Sequence, residues 1–383
     1  MKKILFTAVL ALCAAAVVTS CGSKSTISKG DKSQMDTLSY ALGANIGYGV
    51  KYEFSDVPMD IKAITKGIEE GALEKSAKTQ EEAIELLREY FMQKRGMRAR
   101  EIANKRAEAD SIRLAEGDST KVEYPVADPD MFESEEERYD ISYAFGVDIG
   151  NNVKDSGLPL QLYWLTSGFA ETSEENGKMT EGEVNDYLQN YFTVVRPAQS
   201  AEASEKWLSK IEKKSGVHKT ESGLLYKVIR KGEADTQATD DRDIVVVKYE
   251  GKTREGKVFD SSYEREKEVK KQIDEAKKDK NLTDEEKSER LARLEHQLES
   301  VATAEFPLNR VIKGWTEGMK LVGKGGKIQL WIPSDIAYGP RGAGRDIGPN
   351  EALFFEVEII DVKPFEQPAP EPVMEETAEA EEE

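Results

Sequence analysis

The chain of 383 residues is polar and acidic, with 33% charged against 38% hydrophobic residues and a formal net charge of −19 at pH 7. That length accommodates two or three domains with their own cores, and so acidic a surface argues against nucleic acid or an anionic bilayer face as partner. Two cysteines and two histidines leave little material for thiol chemistry, a metal centre or a His-based triad, and no cofactor is expected.

The N-terminus differs from all that follows. Lys2 and Lys3 precede an apolar run over 4–18 that ends Val18-Thr19-Ser20-Cys21-Gly22. A basic start and an apolar run too short to span a bilayer comfortably are the layout of a secretory signal. Its end resembles the lipobox of bacterial lipoproteins, which implies removal of residues 1–20 and lipidation of Cys21. Cys13 leaves with the signal and Cys21 is consumed by lipid, so membrane contact would run through the acyl chains alone. Gly22, rather than Asp, after the lipidated cysteine resembles outer-membrane sorting in enteric bacteria. That resemblance implies a lipid-anchored envelope protein on the outer membrane, facing the periplasm or exposed at the surface. Residues 21–36, rich in Ser, Lys and Gly, read as a flexible tether.

An internal repeat follows. Ser39-Tyr40-Ala41-Leu42-Gly43-Ala44-Asn45-Ile46-Gly47 recurs as Ser142-Tyr143-Ala144-Phe145-Gly146-Val147-Asp148-Ile149-Gly150. Thr65-Lys66-Gly67 matches Thr166-Ser167-Gly168, and Thr79 through Phe91 matches Thr180 through Phe192. Order and spacing hold apart from one two-residue slip, so the segment is a duplication. Repeat 1 spans 37–121, a linker 122–138, and repeat 2 with its connecting helix 139–217. Each copy reads as three helices followed by a charged, solvated arm. Thr79 with Glu82 and Thr180 with Glu183 spell capping boxes. Glycines four apart (43/47 and 146/150) either mark close approach of another helix or break the helix into turns, at about 1 kcal/mol each. The unit resembles the N-terminal helical domain of Mip- and FkpA-like proteins of the FKBP family, which there serves dimerisation and client binding. Those proteins carry one copy. Two copies leave both a homodimer and an intramolecular pseudo-dimer open.

Residues 218–365 change character. The runs 244–249, 327–332 and 353–362 have strand composition, and glycines at 251, 256 and 323–326 punctuate them. Residues 310–321 carry a one-faced helical spacing at Val311, Ile312, Trp315 and Met319. The combination Tyr249-x-Gly251, Phe259-Asp260-Ser261-Ser262, Val311-Ile312-x-Gly314-Trp315-x-Glu317-Gly318, Ala337-Tyr338-Gly339 and Phe355-x-Val357-Glu358 resembles the FKBP-type peptidyl-prolyl isomerases. The expected class is therefore α+β: an all-α region of two repeats, then an FKBP-like antiparallel sheet wrapped on a short helix.

The resemblance implies a site for proline. Trp315 would form the floor under the ring, with Tyr249, Phe259, Val311, Ile312 and Phe355 as walls and Ile347 on the flap loop. The Ile312 N–H and the Tyr338 hydroxyl would hydrogen-bond substrate carbonyls, and Asp260 would sit beside the twisting bond. Where the family often has an aromatic two residues before Phe306, this chain has Ala304, which leaves Phe306 between core and pocket. The implied partners are proline-containing unfolded or folding polypeptides, and the family's macrolide ligands would fit the same cup. The implied function is peptidyl-prolyl isomerisation during folding of envelope proteins. The alternative is a holdase acting through the helical repeats.

Residues 264–304 interrupt the resemblance with a charged insertion. Val269, Ile273 and Ala276 fall on one helical face and Leu291, Leu294, Leu298 and Val301 on another, around a capping box of Thr283 and Glu286. This reads as an antiparallel helical hairpin rising beside the pocket, either a solvated insertion or a client-contacting arm. Two glycine-rich stretches, 318–325 and 342–344, run into strands and so are neither a phosphate loop nor a dinucleotide fingerprint. Residues 366–383, rich in Pro, Ala and Glu, read as a disordered acidic tail.

Overall fold

A computed structural model describes residues 32–365. The expected signal at 1–20, Cys21, the tether up to residue 31 and the tail 366–383 lie outside the described residues. Among the described residues no helix is long and apolar enough to cross a membrane. They form two compact units that meet in sequence between Val195 and Arg196. The first is all helical and the second is built on an antiparallel sheet, the α+β arrangement expected.

The helical unit contains α1 (Lys32–Glu53), α2 (Ile61–Ala72), α3 (Gln80–Glu89), α4 (Arg95–Ala115), α5 (Glu135–Asp155), α6 (Leu162–Ser173) and α7 (Glu181–Asn190). Copy one is α1–α3 and copy two α5–α7. Both threonine capping boxes form. After α3 and α7 a five-residue π-helical turn buries Tyr90 and Tyr191 at the same place in each copy. α1 begins inside the segment read as tether, where Gln34 is already buried. α5 begins inside the linker, because Ser134 caps it by accepting from the Glu137 N–H (3.1 Å).

The two copies pack crosswise: α1 lies on α6, and α2 on α5. The glycines make this contact. A Cβ on Gly43 would come within 1.9 Å of the Leu165 carbonyl oxygen, and one on Gly146 within 2.1 Å of that of Ile64. Close approach, not helix breakage, is therefore why they are there. The Ser-Tyr pair ahead of each glycine latches the other copy. Ser39 Oγ accepts from Gln161 N–H (2.8 Å) and Ser142 Oγ from Asp60 N–H (2.9 Å). Tyr40 accepts from Lys178 N–H and donates to Glu171 (2.7 and 2.8 Å). Tyr143 accepts from Ala77 N–H and donates to Glu70 (2.9 and 2.5 Å). The repeated Ser-Tyr-Ala-x-Gly motif is thus the code for an intramolecular interlock.

α4 is the solvated arm expected, with Ile102 its one buried residue. The linker after it is not free. Arg106 donates to Asp128 and to the Pro125 carbonyl (2.6 and 3.0 Å), and Phe132 stacks on Tyr90 with ring centroids 4.9 Å apart.

The second unit has strands β1 (His218–Lys219), β2 (Leu225–Arg230), β3 (Ile244–Thr253), β4 (Val258–Ser261), β5 (Ala304–Pro307), β6 (Lys327–Ile332) and β7 (Leu353–Lys363), with helices α8 (Arg196–Glu212), α9 (Ser262–Lys278), α10 (Asp284–Ala302) and α11 (Lys313–Met319). The sheet order is β1-β2-β6-β7-β3-β4, and β5 also pairs with β3. β4 meets β3 at 250–252 and β5 meets it at 244–247. The hairpin α9–α10 therefore leaves and rejoins the edge of a single strand, and its own apolar residues pack on each other.

Alternation along β6 and β7 sends Ile328, Leu330, Ile332, Leu353, Phe355, Val357 and Ile359 to the face that holds α11. α11 is shorter than its spacing suggested, because 308–310 form a separate 3₁₀ turn. Gly314 and Gly318 set it against β6: a Cβ there would fall 2.4 Å from Ile332 and 2.6 Å from Leu330. The opposite face carries Leu225, Trp331 and Phe354, and α8 covers it with Trp207, Leu208 and Ile211. The second charged arm is thus docked on the sheet, which corrects its reading as a solvated spacer. Its apolar residues are few, and the Lys and Glu between them hid the stripe.

Candidate active site

The aromatic residues singled out in the sequence converge at one end of α11. Trp315, 4% exposed, meets Tyr249, Phe355 and Phe306 edge-on, with ring centroids 5.0, 5.1 and 5.4 Å away. Phe259 adds an edge contact to Phe355 at 5.5 Å. Such T-shaped contacts suit aromatic quadrupoles and hold each ring's orientation. Gly251 lets two of these rings in, since a Cβ there would meet Phe355 and Phe259 at 2.7 and 2.8 Å. Val311 and Ile312 pack against the same cluster, and Ile347 is buried in it. Phe306 packs edge-on against both Tyr249 and Trp315.

Ile312 is the cap residue of α11 in an extended conformation (φ −61°, ψ 146°), and its carbonyl takes the Trp315 N–H (2.8 Å). That backbone bond closes the first turn of the helix that carries Trp315. Tyr338 stands at the start of the loop 338–352 and is 39% exposed.

Polar groups gather at the rim. Tyr249 Oη donates to Asp260 Oδ2 at 2.6 Å, and Arg265 donates to the other carboxylate oxygen. The Arg265 guanidinium also lies over the Tyr249 ring, 5.5 Å from its centroid. Burial first, and then donation to Asp260, push the Tyr249 phenol up to about 12. Burial and the nearby Asp260 charge also raise that of Tyr338. Both hydroxyls therefore remain donors at neutral pH.

Arg265 was not legible as a site residue from sequence, because it sits among the charges of the insertion. The signal was local. Ser261 caps α9 by accepting from Glu264 N–H (3.2 Å), and the first turn of that helix brings Arg265 back over Asp260. A groove on α10, lined by Leu282, Arg290, Leu294 and neighbours of both charge signs, shares no residue with this cluster.

An aromatic cluster with a carboxylate held at its edge is the arrangement expected from the sequence motifs, and comparison with known proteins names the family. The FKBP-type peptidyl-prolyl cis-trans isomerase family matches residues 235–285 and 292–360, the break falling in the inserted hairpin. The family described as the domain amino terminal to FKBP-type peptidyl-prolyl isomerase matches twice, at 35–119 and 138–228. The chain is 32% identical over 246 residues to the probable FKBP-type peptidyl-prolyl cis-trans isomerase FkpA of Neisseria meningitidis, covering 60% of this chain and 77% of that one. It is 30% identical over 240 residues to FkpA of Escherichia coli K12 (58% and 75%), and 31% identical over 235 residues to the outer membrane protein MIP of Legionella longbeachae (58% and 84%). The chain belongs to the FKBP-type peptidyl-prolyl cis-trans isomerases. Within that family it is of the FkpA/Mip kind, with the amino-terminal domain present in two copies.

Proposed function

We propose that the cup around Trp315 binds the proline of X-Pro segments in folding polypeptides and lowers the barrier to rotation about the preceding bond. The uncatalysed barrier is about 18–20 kcal/mol and arises from loss of amide resonance, so the reaction needs neither nucleophile nor metal. It needs a surface that holds the twisted bond better than the planar one. The proline ring sits on Trp315 between Tyr249, Phe259, Val311, Ile312 and Phe355, with Ile347 closing the flap side. The twisted amide is less polar than the planar form, and a cup walled by aromatic rings favours it. The Ile312 N–H and Tyr338 hydroxyl hold the flanking carbonyls, which fixes the substrate while the bond turns. Asp260 presents its charge to the prolyl carbonyl carbon, and Tyr249 and Arg265 keep it oriented.

The observation that carries this reading is the edge-on aromatic box closed on Trp315 with Asp260 pinned at its rim. Protease-coupled turnover of a short X-Pro peptide tests it. Asp260→Ala is expected to lower kcat/KM by on the order of tenfold, with a smaller loss for Tyr338→Phe. Unchanged turnover in both would remove the site from the reaction.

Clients are envelope proteins carrying X-Pro bonds, reached from a membrane surface to which Cys21 ties the chain by lipid after removal of residues 1–20. The proposal keeps the segment order read from the sequence: tether, two repeats, isomerase unit and acidic tail. The crosswise packing of the two copies supports a monomer, because each copy already holds the other.

A further inference from the structure

Two residues of the proposed pocket, Tyr338 and Ile347, lie on the loop 338–352, and the far end of that loop is gripped by a helix outside the sheet. Ser204 on α8 is 5% exposed. Its Oγ donates to the Asn350 carbonyl (2.9 Å) and accepts from Ala352 N–H (3.0 Å). Asn350 Nδ2 reaches the Pro197 carbonyl in the first turn of α8 (3.2 Å). Asn350 itself has φ +53°, a left-handed conformation that asparagine adopts more readily than most residues other than glycine.

From this grip hydrogen bonds run to the chain neighbours of both pocket residues. Asn350 N–H donates to the carbonyl of Gly339, next to Tyr338 (2.9 Å). The Glu351 carboxylate accepts from Gly348 N–H, next to Ile347 (2.8 Å). Arg254, where β3 ends, donates to the hydroxyls of Ser200 and Ser204 (3.1 and 3.2 Å) and so directs the Ser204 proton toward Asn350. The duplication supplies an internal contrast. With Thr79 aligned on Thr180, the positions of Ser200 and Ser204 are occupied in the first copy by Ala99 and Ala103, on the arm α4, which leads into the linker rather than into a sheet. The hydroxyls occur where there is a loop to hold.

We propose that Ser204 is a positioning residue for isomerisation, fixing through Asn350 and Ala352 the loop that presents Tyr338 and Ile347 to substrate. α8 is then a working part of the isomerase and not only its connection to the helical unit. The inference rests on reading Tyr338 and Ile347 as pocket residues.

The test is steady-state kinetics of the full chain on an X-Pro peptide. KM is the informative quantity, because a change that only unfolds a fraction of the molecules lowers the apparent kcat and leaves KM where it was. Ser204→Ala is expected to raise KM about fivefold with kcat within about twofold. Ser204→Cys, a weaker donor and acceptor in the same place, is expected to lie between. An unchanged KM in both variants overturns the proposal. So does a loss confined to kcat that tracks the fraction unfolded. Tyr338→Phe is measured alongside to separate the two failures: an intact kcat/KM in that variant overturns the pocket reading and the role of Ser204 with it, whereas a loss there with KM unchanged in both Ser204 variants overturns the role of Ser204 alone.

Discussion

Asp260 touches Tyr249 and Arg265, and Tyr338 lies close enough to feel its charge, yet the proposed mechanism asks none of them to gain or lose a proton. The tyrosines serve as donors, and burial moves both phenols further from neutrality. kcat/KM is therefore expected to stay flat between about pH 6 and 9. A bell-shaped profile centred in that range would mean that a titrating group takes part. The helical unit holds a residue whose pH behaviour has a definite sign. Asp148 is buried, and burial raises its carboxyl above the ordinary value despite hydrogen bonds from Gln80 and Asn152. As pH rises, the unfolded chain gives up that proton first, near about 3.9, so the folded state loses stability until its own raised value is passed. Asn45 occupies the equivalent position in the first copy. Asp148→Asn should raise the unfolding temperature at pH 7 and lose that advantage below about pH 3.5. An equal gain at both pH values would place its origin elsewhere.

The elements were readable from sequence to differing degrees, for physical reasons. Capping boxes are local, so α3, α7 and α10 begin where Thr79, Thr180 and Thr283 said they would. β6 was legible from its alternation and β7 from its run of β-branched and aromatic residues. What composition concealed were contacts made by few apolar residues among many charges: Trp207, Leu208 and Ile211 on the sheet, Met131 and Phe132 in the linker, Leu38 near the start of α1. In the site, the aromatic positions were visible as a motif. Arg265 and Ser204 were not, since each acts across a fold-dependent contact. The glycines offer a test at this scale. Gly→Ala inside a helix ordinarily stabilises by about 1 kcal/mol. Gly49 has open space around its Cβ position, and Gly49→Ala should follow that rule. Gly146→Ala must push against the Ile64 backbone and should destabilise the helical unit by roughly 3 kcal/mol. Denaturant unfolding of the two variants reads both signs. A stabilising Gly146→Ala would contradict the crosswise packing.

At the scale of the whole molecule the duplication changes what one chain can do alone. Each copy offers a glycine-notched first helix and takes the second helix of the other, so the contact closes within the chain. Light scattering of the full chain is expected to give the mass of one chain at micromolar concentration. One chain then carries two helical copies and a single isomerase unit, whose effect on a folding protein is the decisive quantity. The direct measurement is refolding of a substrate whose slow phase is limited by proline isomerisation, followed with catalytic amounts of the full chain. The unaltered protein should accelerate that phase in proportion to its concentration, and a chain carrying both Asp260→Ala and Trp315→Leu should lose the acceleration. If the double variant accelerated refolding as well as the unaltered chain, the aromatic cup would not be the site of catalysis.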